Sequence, residues 1–428
     1  MYFELWKECE KRMRRKIIII GGGASGLAAA VFGARAGADV TIVEHMDRVG
    51  KKILSTGNGR CNLTNLDMRP ECYRSGQPSV PMEVIGGFPV ERTLEFFREL
   101  GIEPKSRGGY IYPNSDQASA VLDVLRREVE HLGVAVLTDC EAQEVSARPG
   151  ERGFLVRTNQ GDLAADAVIL AAGSKAAPNT GSDGSGYKLA KGLGHRIVKP
   201  LPALVQLRCQ GKHYRQLAGI RTEAKLSLYA DGKLLAEDTG ELQLTDYGLS
   251  GIPTFQISRF ASRALDEGKR VVVMVDFLPG WPEEEAFKRL RERADRQSYK
   301  TAEELFVGLL NKKLALVLLQ AAGIAPSQPV SGLKNRQLSR LLEVLKSYEA
   351  LVMSVNPFAN AQVCCGGVDT QEVDPATMES RRCKNFYLAG EILDVDGICG
   401  GYNLQFAWSS GAIAGMSAAG KGAHTGND

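Results

Sequence analysis

Isoleucine fills four consecutive positions, 17–20, an unbroken apolar run expected of a parallel strand covered on both faces. A second strand reads at Asp39–Val43, with a glycine-rich turn and a helix start between the two. Apolar residues recur at helical spacing over residues 90–100 and 119–132. Phe154, Val156 and Thr158 alternate into a turn at residues 159–162, and the apolar stretch 163–170 follows, a hairpin feeding a buried strand. That strand, Ala167–Leu170, ends in the small residues Ala171-Ala172-Gly173-Ser174, where a backbone can lie against a flat or phosphorylated ligand. From about Ile197 the pattern becomes alternating strands. Residues 224–229 and 233–237 flank Asp231-Gly232, a strong hairpin signal, and residues 271–277 give a further strand. After Pro279-Gly280-Trp281-Pro282 the spacing turns helical: Glu283–Arg296 reads as a solvated helix face, and Thr301 with Glu304 predicts a capping box. Leu338, Leu341, Leu342 and Leu345 share one face of a later helix. Near the C-terminal end an apolar strand, residues 386–388, runs through Ala389-Gly390-Glu391 towards Gly400-Gly401-Tyr402-Asn403-Leu404-Gln405 and a small-residue helix.

The two glycine-rich segments, near opposite ends of the chain, have the same strand, turn and helix order. At the first, Gly21 permits the turn, Gly23 lets backbone approach a phosphate, and Gly26 lets helix and strand pack closely. The helix start offers free N–H groups and a positive dipole end to a pyrophosphate. Glu44 closes the second strand eighteen residues after Gly26, where a carboxylate accepts ribose hydroxyls. A chain that opens and closes in this way most simply folds both ends around one dinucleotide, and FAD is the expected cofactor. The expected FAD cradle comprises Gly21, Gly23, Ala24, Ser25 and Gly26, then Glu44, His45 and Lys52, then Asn58, Gly59 and Arg60. Ala142, Ala172 and Gly173 follow, and Gly390, Glu391, Gly401, Tyr402, Asn403 and Leu404 complete it. The fold class is therefore α/β, a discontinuous Rossmann-like FAD-binding domain carrying an inserted β-rich domain and a small helical domain. The expected boundaries are 1–190 for the first part of the FAD-binding domain, 191–281 for the β-rich substrate domain, 282–347 for the helical domain, and 348–428 for a return strand and the second part of the FAD-binding domain.

Length and composition fit a large globular enzyme: 428 residues, 44% hydrophobic and 24% charged. A net charge of +3 leaves no broad basic face for nucleic acid and gives a small apolar substrate the edge over folded RNA. The basic run at residues 11–16 reads as a solvated N-terminal arm. The first fifteen residues lack the apolar centre of a secretory signal, and no segment has the length and purity to span a bilayer. Nine cysteines (Cys9, Cys61, Cys72, Cys140, Cys209, Cys364, Cys365, Cys383 and Cys399) contain no CxxC pair, so no metal site is expected. Reduced thiols in the cytoplasm are the plain expectation. His195 and His213 fall in the strand-rich module without metal-ligand spacing and read as structural.

Within this frame, Gly50-Lys-Lys-Ile-Leu-Ser-Thr-Gly57-Asn58-Gly59-Arg60-Cys61-Asn62-Leu63-Thr64-Asn65 resembles the YhiN/BaiN-type flavoproteins, the NAD(FAD)-utilizing dehydrogenase-like family. Thr245-Asp246-Tyr247-Gly248-Leu249-Ser250-Gly251, Gly366-Gly367-Val368, Thr377-Met378-Glu379-Ser380 and Gly390-Glu391-Ile392-Leu393-Asp394 are similar too. The resemblance runs from Lys16 to about Gly415 and implies a discontinuous FAD domain, a β-rich domain and a small helical cap. The chain departs from many relatives at Asp246, where they carry His, and at Cys364-Cys365, where two ordinary buried thiols are expected.

FAD carries hydride chemistry at N5, while the protein supplies orientation and electrostatics. The stretch Gly181-Ser-Asp-Gly184-Ser-Gly186 lacks a preceding strand, so no second Rossmann domain for NADH (or NADPH) is expected. A nicotinamide would then act as a transient reductant at the face the substrate uses, with ping-pong kinetics. Arg60 is placed to stabilise negative charge on the reduced flavin or a developing enolate, against the alternative of an ion pair that fixes its loop. Tyr402 or Cys61 is the candidate proton donor; the alternatives are a tyrosine packed beside the flavin and a buried small thiol. The resemblance implies reduction of a carbonyl-conjugated C=C bond. The lead substrate is a 3-oxo-Δ4/Δ4,6 bile-acid (steroid) enone; uridine of 23S ribosomal RNA, reduced to dihydrouridine, is the second, and a small amine or aminoketone oxidase the third.

Overall fold

A computed structural model describes residues 14–148 and 153–420. Cys9 and the first three residues of the basic run, 11–13, lie outside the described residues. The chain divides into two compact units, one joining the residues up to Pro200 with those from Val363 onward, the other Leu201–Gln362.

The first unit is built on the isoleucine run. Strand β1 (Lys16–Ile20) pairs in parallel with β2 (Asp39–Val43) and, through residues 17–20, with β4 (Ala167–Leu170). β3 (Ala135–Leu137) joins β2, and β5 (Phe386–Leu388) joins β4, giving the order β5-β4-β1-β2-β3. Ile17 through Ile20 are each at most 5% exposed, as a strand covered on both faces requires. Helix α1 (Ala24–Arg35) follows β1, and the last helix, α2 (Tyr402–Ala418), packs along it. Small residues make that approach possible. A Cβ on Gly411 would fall 2.3 Å from the Ser25 carbonyl oxygen, and one on Gly415 the same distance from that of Ala29. At Gly411 and Gly415 no side chain fits, whereas Trp408 and Ile413, elsewhere on the helix, are large and buried.

The expected hairpin feeds the expected buried strand, Ala167–Leu170. Gly161–Ala165 is the edge of an antiparallel sheet with Phe154–Thr158 and Ala142–Ala147, whereas Ala167–Leu170 enters the parallel sheet. Asp166 divides them: its carboxylate accepts from the Lys16 backbone N–H at 2.8 Å, and its own N–H donates to the Lys16 carbonyl. His195, expected with the strand-rich module, belongs instead to the first unit. It is fully buried against Phe386, with Nδ1 3.0 Å from a Glu372 oxygen and Nε2 2.9 Å from the Ser380 hydroxyl.

The second unit contains a closed six-stranded barrel. Around it run Leu207–Cys209, Gly248–Gly251, Lys233–Thr245, Arg221–Ala230, Val271–Asp276 and Tyr348–Val355. Inward residues such as Leu226, Leu228, Leu242, Leu244, Val273 and Val275 are buried, which explains the two-residue alternation in the sequence. Asp231 and Gly232 form the expected tight hairpin, both at positive φ (48° and 81°). The helices Glu283–Arg296, Lys312–Ala321 and Asn335–Lys346 follow. Thr301 and Glu304 exchange the expected capping bonds, but these close one 3₁₀ turn, Glu304–Phe306, rather than a helix. Gly308, at φ 80°, ends the turn, and Asn311 caps the next helix by accepting from the Lys313 N–H at 3.0 Å.

Candidate active site

The turn after β1 has no room for side chains. A Cβ on Gly21 (φ 102°) would lie 2.5 Å from the Ala171 carbonyl oxygen, and one on Gly26 only 1.9 Å from that of Gly21. Gly23 is the opposite case: as the first residue flanking α1 it has nothing within 4 Å of a Cβ position, and no side chain caps the helix. Free space thus lies beside the uncapped start of α1, whose first N–H groups have the chemistry a pyrophosphate needs. Glu44 sits at the end of β2 at 7% exposure and accepts from the Gly22 N–H at 2.8 Å and the Met46 N–H at 2.9 Å. His45 Nδ1 lies 3.5 Å from Glu44, and a Cβ on Gly181 would touch both side chains. Ala142 begins the antiparallel sheet two residues after Cys140, whose N–H donates to the Glu44 carbonyl at 2.9 Å.

The second glycine-rich segment arrives at the same place. Gly390 (φ 76°) lies so close to α1 that a Cβ would be 2.4 Å from the Ser25 hydroxyl, and that hydroxyl donates to the Ala389 carbonyl at 3.3 Å. Ala172 and Gly173 lie alongside, a Cβ on Gly21 falling 2.8 Å from Ala172 Cα. Lys52 Nζ pairs with Glu391 at 2.6 Å, and the Ser174 hydroxyl donates to the same carboxylate oxygen at 3.1 Å. Cys364 and Cys365, in the strand Val363–Val368, are both buried thiols outside any disulfide, as expected.

The loop from Gly57 is wound by successive left-handed residues, Gly57, Asn58 and Gly59, with Cys61 (φ 59°) following Arg60. It meets the start of α2: the Asn65 amide donates to the Gly400 carbonyl at 3.0 Å, the Trp408 indole N–H donates to the Leu63 carbonyl at 3.0 Å, and a Cβ on Gly401 would collide with Thr64. Asn403 locks the preceding turn, accepting from the Gly397 N–H at 2.8 Å and donating to its carbonyl at 2.9 Å, while Leu404 is half-buried beside it. The Asn62 side-chain oxygen is buried without a hydrogen-bond partner among the described residues, 2.9 Å from the Cβ position of Gly401.

The three residues expected to do chemistry are not equivalent. Arg60 is exposed and makes no ion pair among the described residues. Cys61 is fully buried, and burial pushes its thiol up to about 12. Tyr402 is 4% exposed; its hydroxyl donates to the Asp67 carbonyl at 3.0 Å, and burial raises its pKa. One neighbour escapes a sequence reading. Tyr110, 41% exposed, sets its ring against Gly400, 2.7 Å from where a Cβ would be. It stands at the tip of a hairpin, Pro104–Arg107 with Tyr110–Pro113, whose Gly108-Gly109 turn was the available signal. On the next outward position, burial pushes the Tyr112 phenol up while nearby Arg60 pulls it down.

Among the described residues no group of three or more His, Cys, Asp or Glu side chains is placed to hold a metal ion. No helix there is long and apolar enough to cross a membrane.

A parallel sheet, a glycine turn open at a helix start and a buried acid at the end of the second strand define a Rossmann-type dinucleotide-binding protein. Residues 15–417 match the family described as HI0933-like protein Rossmann domain, and the chain belongs to this family of YhiN/BaiN-type flavoproteins. It is 47% identical over 408 residues to a 3-dehydro-bile acid delta(4,6)-reductase of Clostridium scindens, covering 94% of this chain and 99% of that one. Ribosomal RNA dihydrouridine synthases are more distant: 28% identical for that of Haemophilus influenzae (94% of this chain, 97% of the other), and 29% for that of Escherichia coli (92% and 95%).

Proposed function

We propose that this chain is an FAD-dependent, NADH-driven reductase of a carbonyl-conjugated C=C bond, with a 3-oxo-Δ4/Δ4,6 bile-acid intermediate as lead substrate. The observation that carries the substrate is the 47% identity, sustained over nearly the full length of both chains, to a protein named for that reaction. The cradle supports the cofactor. Gly21, Gly23, Ala24, Ser25 and Gly26 would hold the pyrophosphate, Glu44 with His45 and Ala142 the adenosine end, and Gly173, Gly390, Glu391 and Lys52 the middle of the molecule. Asn58, Gly59, Gly401, Asn403 and Leu404 would border the ring. The unpartnered Asn62 oxygen suits a ring N–H.

FAD, when bound, supplies hydride to the carbon β to the substrate carbonyl. The chain's own residues must then steady the oxygen of the developing enolate and deliver a proton to the α carbon. Arg60, exposed and without an ion-pair partner, takes the first role. For the second, Tyr402 would have to give up its bond to the Asp67 carbonyl, and Cys61 would have to leave the interior as a very weak acid. Tyr110 presents a phenol to solvent beside Gly400 without such a rearrangement, and we assign it the proton.

The test is anaerobic: enzyme reduced with NADH is mixed with a 3-oxo-Δ4,6 bile acid, and flavin absorbance is followed. Rapid reoxidation is expected, each reduced flavin saturating one C=C bond, so that a first turnover gives a 3-oxo product with one double bond left and a second reduction by NADH is needed for the saturated one. No reoxidation by the enone, but dihydrouridine formed in ribosomal RNA, would transfer the assignment to the second reading, which the two synthases at 28% and 29% identity favour.

A further inference from the structure

We propose that Arg208, on the barrel of the second unit, is a receptor for the carboxylate of an organic-acid substrate. The proposal rests on the reading above and narrows its substrate class to enones that carry a carboxylate.

The strand Leu207–Cys209 alternates so that Leu207 is buried in the barrel and Arg208 is exposed outside it. Its ladder neighbours are Gly248 on one side and Ser354 on the other, so no large side chain covers the position from either strand. The guanidinium is nevertheless fixed. It lies 4.7 Å from the centre of the Tyr247 ring, and Nη1 donates to the Asn356 side-chain oxygen at 3.2 Å. Asn356 is only 4% exposed. Its amide nitrogen donates to the Tyr247 hydroxyl at 2.9 Å and to the Gln206 side-chain oxygen at 3.2 Å. One side of a buried amide thus holds the arginine and the other its aromatic platform, while the bond to Gln206 steadies the amide itself.

Holding that arginine has a cost that no ion pair among the described residues offsets. Ordering a long side chain opposes folding by up to about 2 kcal/mol, and other arginines on this barrel offset it with carboxylates, as Arg221 does with Glu241 and Arg270 with Glu349. Arg208 has no such partner among the described residues, and the exposed Asp246, next to Tyr247, forms no ion pair with it. With Nη1 engaged, the Nε–Nη2 edge remains open, and that edge presents two parallel N–H groups matched to a carboxylate. Preorganisation of this kind raises affinity by removing the ordering cost at binding. Met353, 59% exposed and next to Ser354 on the adjoining strand, adds apolar surface suited to the body of an amphipathic acid.

The test is equilibrium binding of a 3-oxo-Δ4,6 bile acid and of its methyl ester to the FAD-loaded full chain, as wild type, Arg208→Met and Arg208→Lys. Arg208→Met is expected to weaken binding of the acid roughly ten- to hundred-fold and to leave the ester within about twofold. Arg208→Lys, which keeps charge but loses the fork, should fall between. Equal affinity of the wild type for acid and ester overturns the proposal, as does an equal loss for both ligands in Arg208→Met. Reoxidation of reduced enzyme by acid or ester is a separate readout. If neither reoxidises the flavin while Arg208 still separates them in binding, the reductase reading fails and the receptor stands.

Discussion

Among the described glycines Gly26 has the nearest obstacle to a side chain, the Gly21 carbonyl oxygen 1.9 Å from where a Cβ would be. Gly26→Ala must push the turn off α1. We expect it to cost about 1–3 kcal/mol, the usual penalty of overpacking, and to yield colourless protein, checked by absorbance near 450 nm and thermal melting. Gly23→Ala, with open space at its Cβ, should instead fold normally and lose flavin affinity alone. Glycines such as these are legible in a sequence because the chemistry that demands them is local: a positive φ, a carbonyl one turn away. Tyr402 is not. Its bond to the Asp67 carbonyl joins residues 335 apart in the chain, and no pattern near either of them announces it. The same holds for Cys61, whose burial depends on the loop's left-handed path. A thiol reagent at pH 8 should leave Cys61 unmodified in the native protein, and Cys61→Ala should retain activity within a few-fold; rapid labelling with inactivation would restore it as a proton donor.

Between elements, the tightest contact is α1 against α2, where Gly411 and Gly415 let two backbones approach. Gly415→Leu is expected to lower stability by about 1–3 kcal/mol or more, seen as a shift of the denaturation midpoint. The pattern of small residues foretold a helix there but not its partner, since the repeat is neutral as to which surface it meets. Residues 154–170 divide in the same way: the turn at 159–162 made the hairpin and the strand Ala167–Leu170 legible, but not the bonds by which Asp166 ties their junction to the Lys16 backbone, 150 residues earlier. The link between His195 and Glu372 sets an acid limit on this unit. Burial holds the His195 imidazole below its ordinary 6.5 despite the neighbouring carboxylate, so the unfolded chain binds the extra proton first. Glu372, though buried, is held below 4.5 by Arg382 and His195, so its contribution too is present at higher pH and lost on acidification. Melting temperature should therefore fall as pH drops from 7.5 through 6.5 towards 5. His195→Gln should flatten that slope, by at most about 1.4 kcal/mol per pH unit.

At the scale of the whole molecule, the division into two compact units predicts two calorimetric transitions. Added FAD should raise one of them, by about 2.7 kcal/mol at a hundredfold excess over Kd, and leave the barrel transition in place. A single transition moving as a whole would show that the units melt cooperatively. The α/β class and the interruption of one sheet by a long insert were legible because strand, turn and helix signals recur at both ends of the chain. Closure of the inserted strands into a barrel was not, since strand order lies in pairings such as Leu207–Cys209 with Tyr348–Val355 that short-range alternation does not encode. The sheet order also has a consequence for biosynthesis. β5, the outer neighbour of β4, leaves the ribosome more than two hundred residues after it, and α2 later still. Until then the nascent chain carries an unpaired sheet edge at Ala167–Leu170 and an uncovered alanine-rich flank on α1, while the barrel downstream already has all its strands. A newly made molecule thus passes through a half-finished stage whose adhesive edge needs shielding, and chaperone dependence in the cell should be set by the speed of translating its last fifty or so codons.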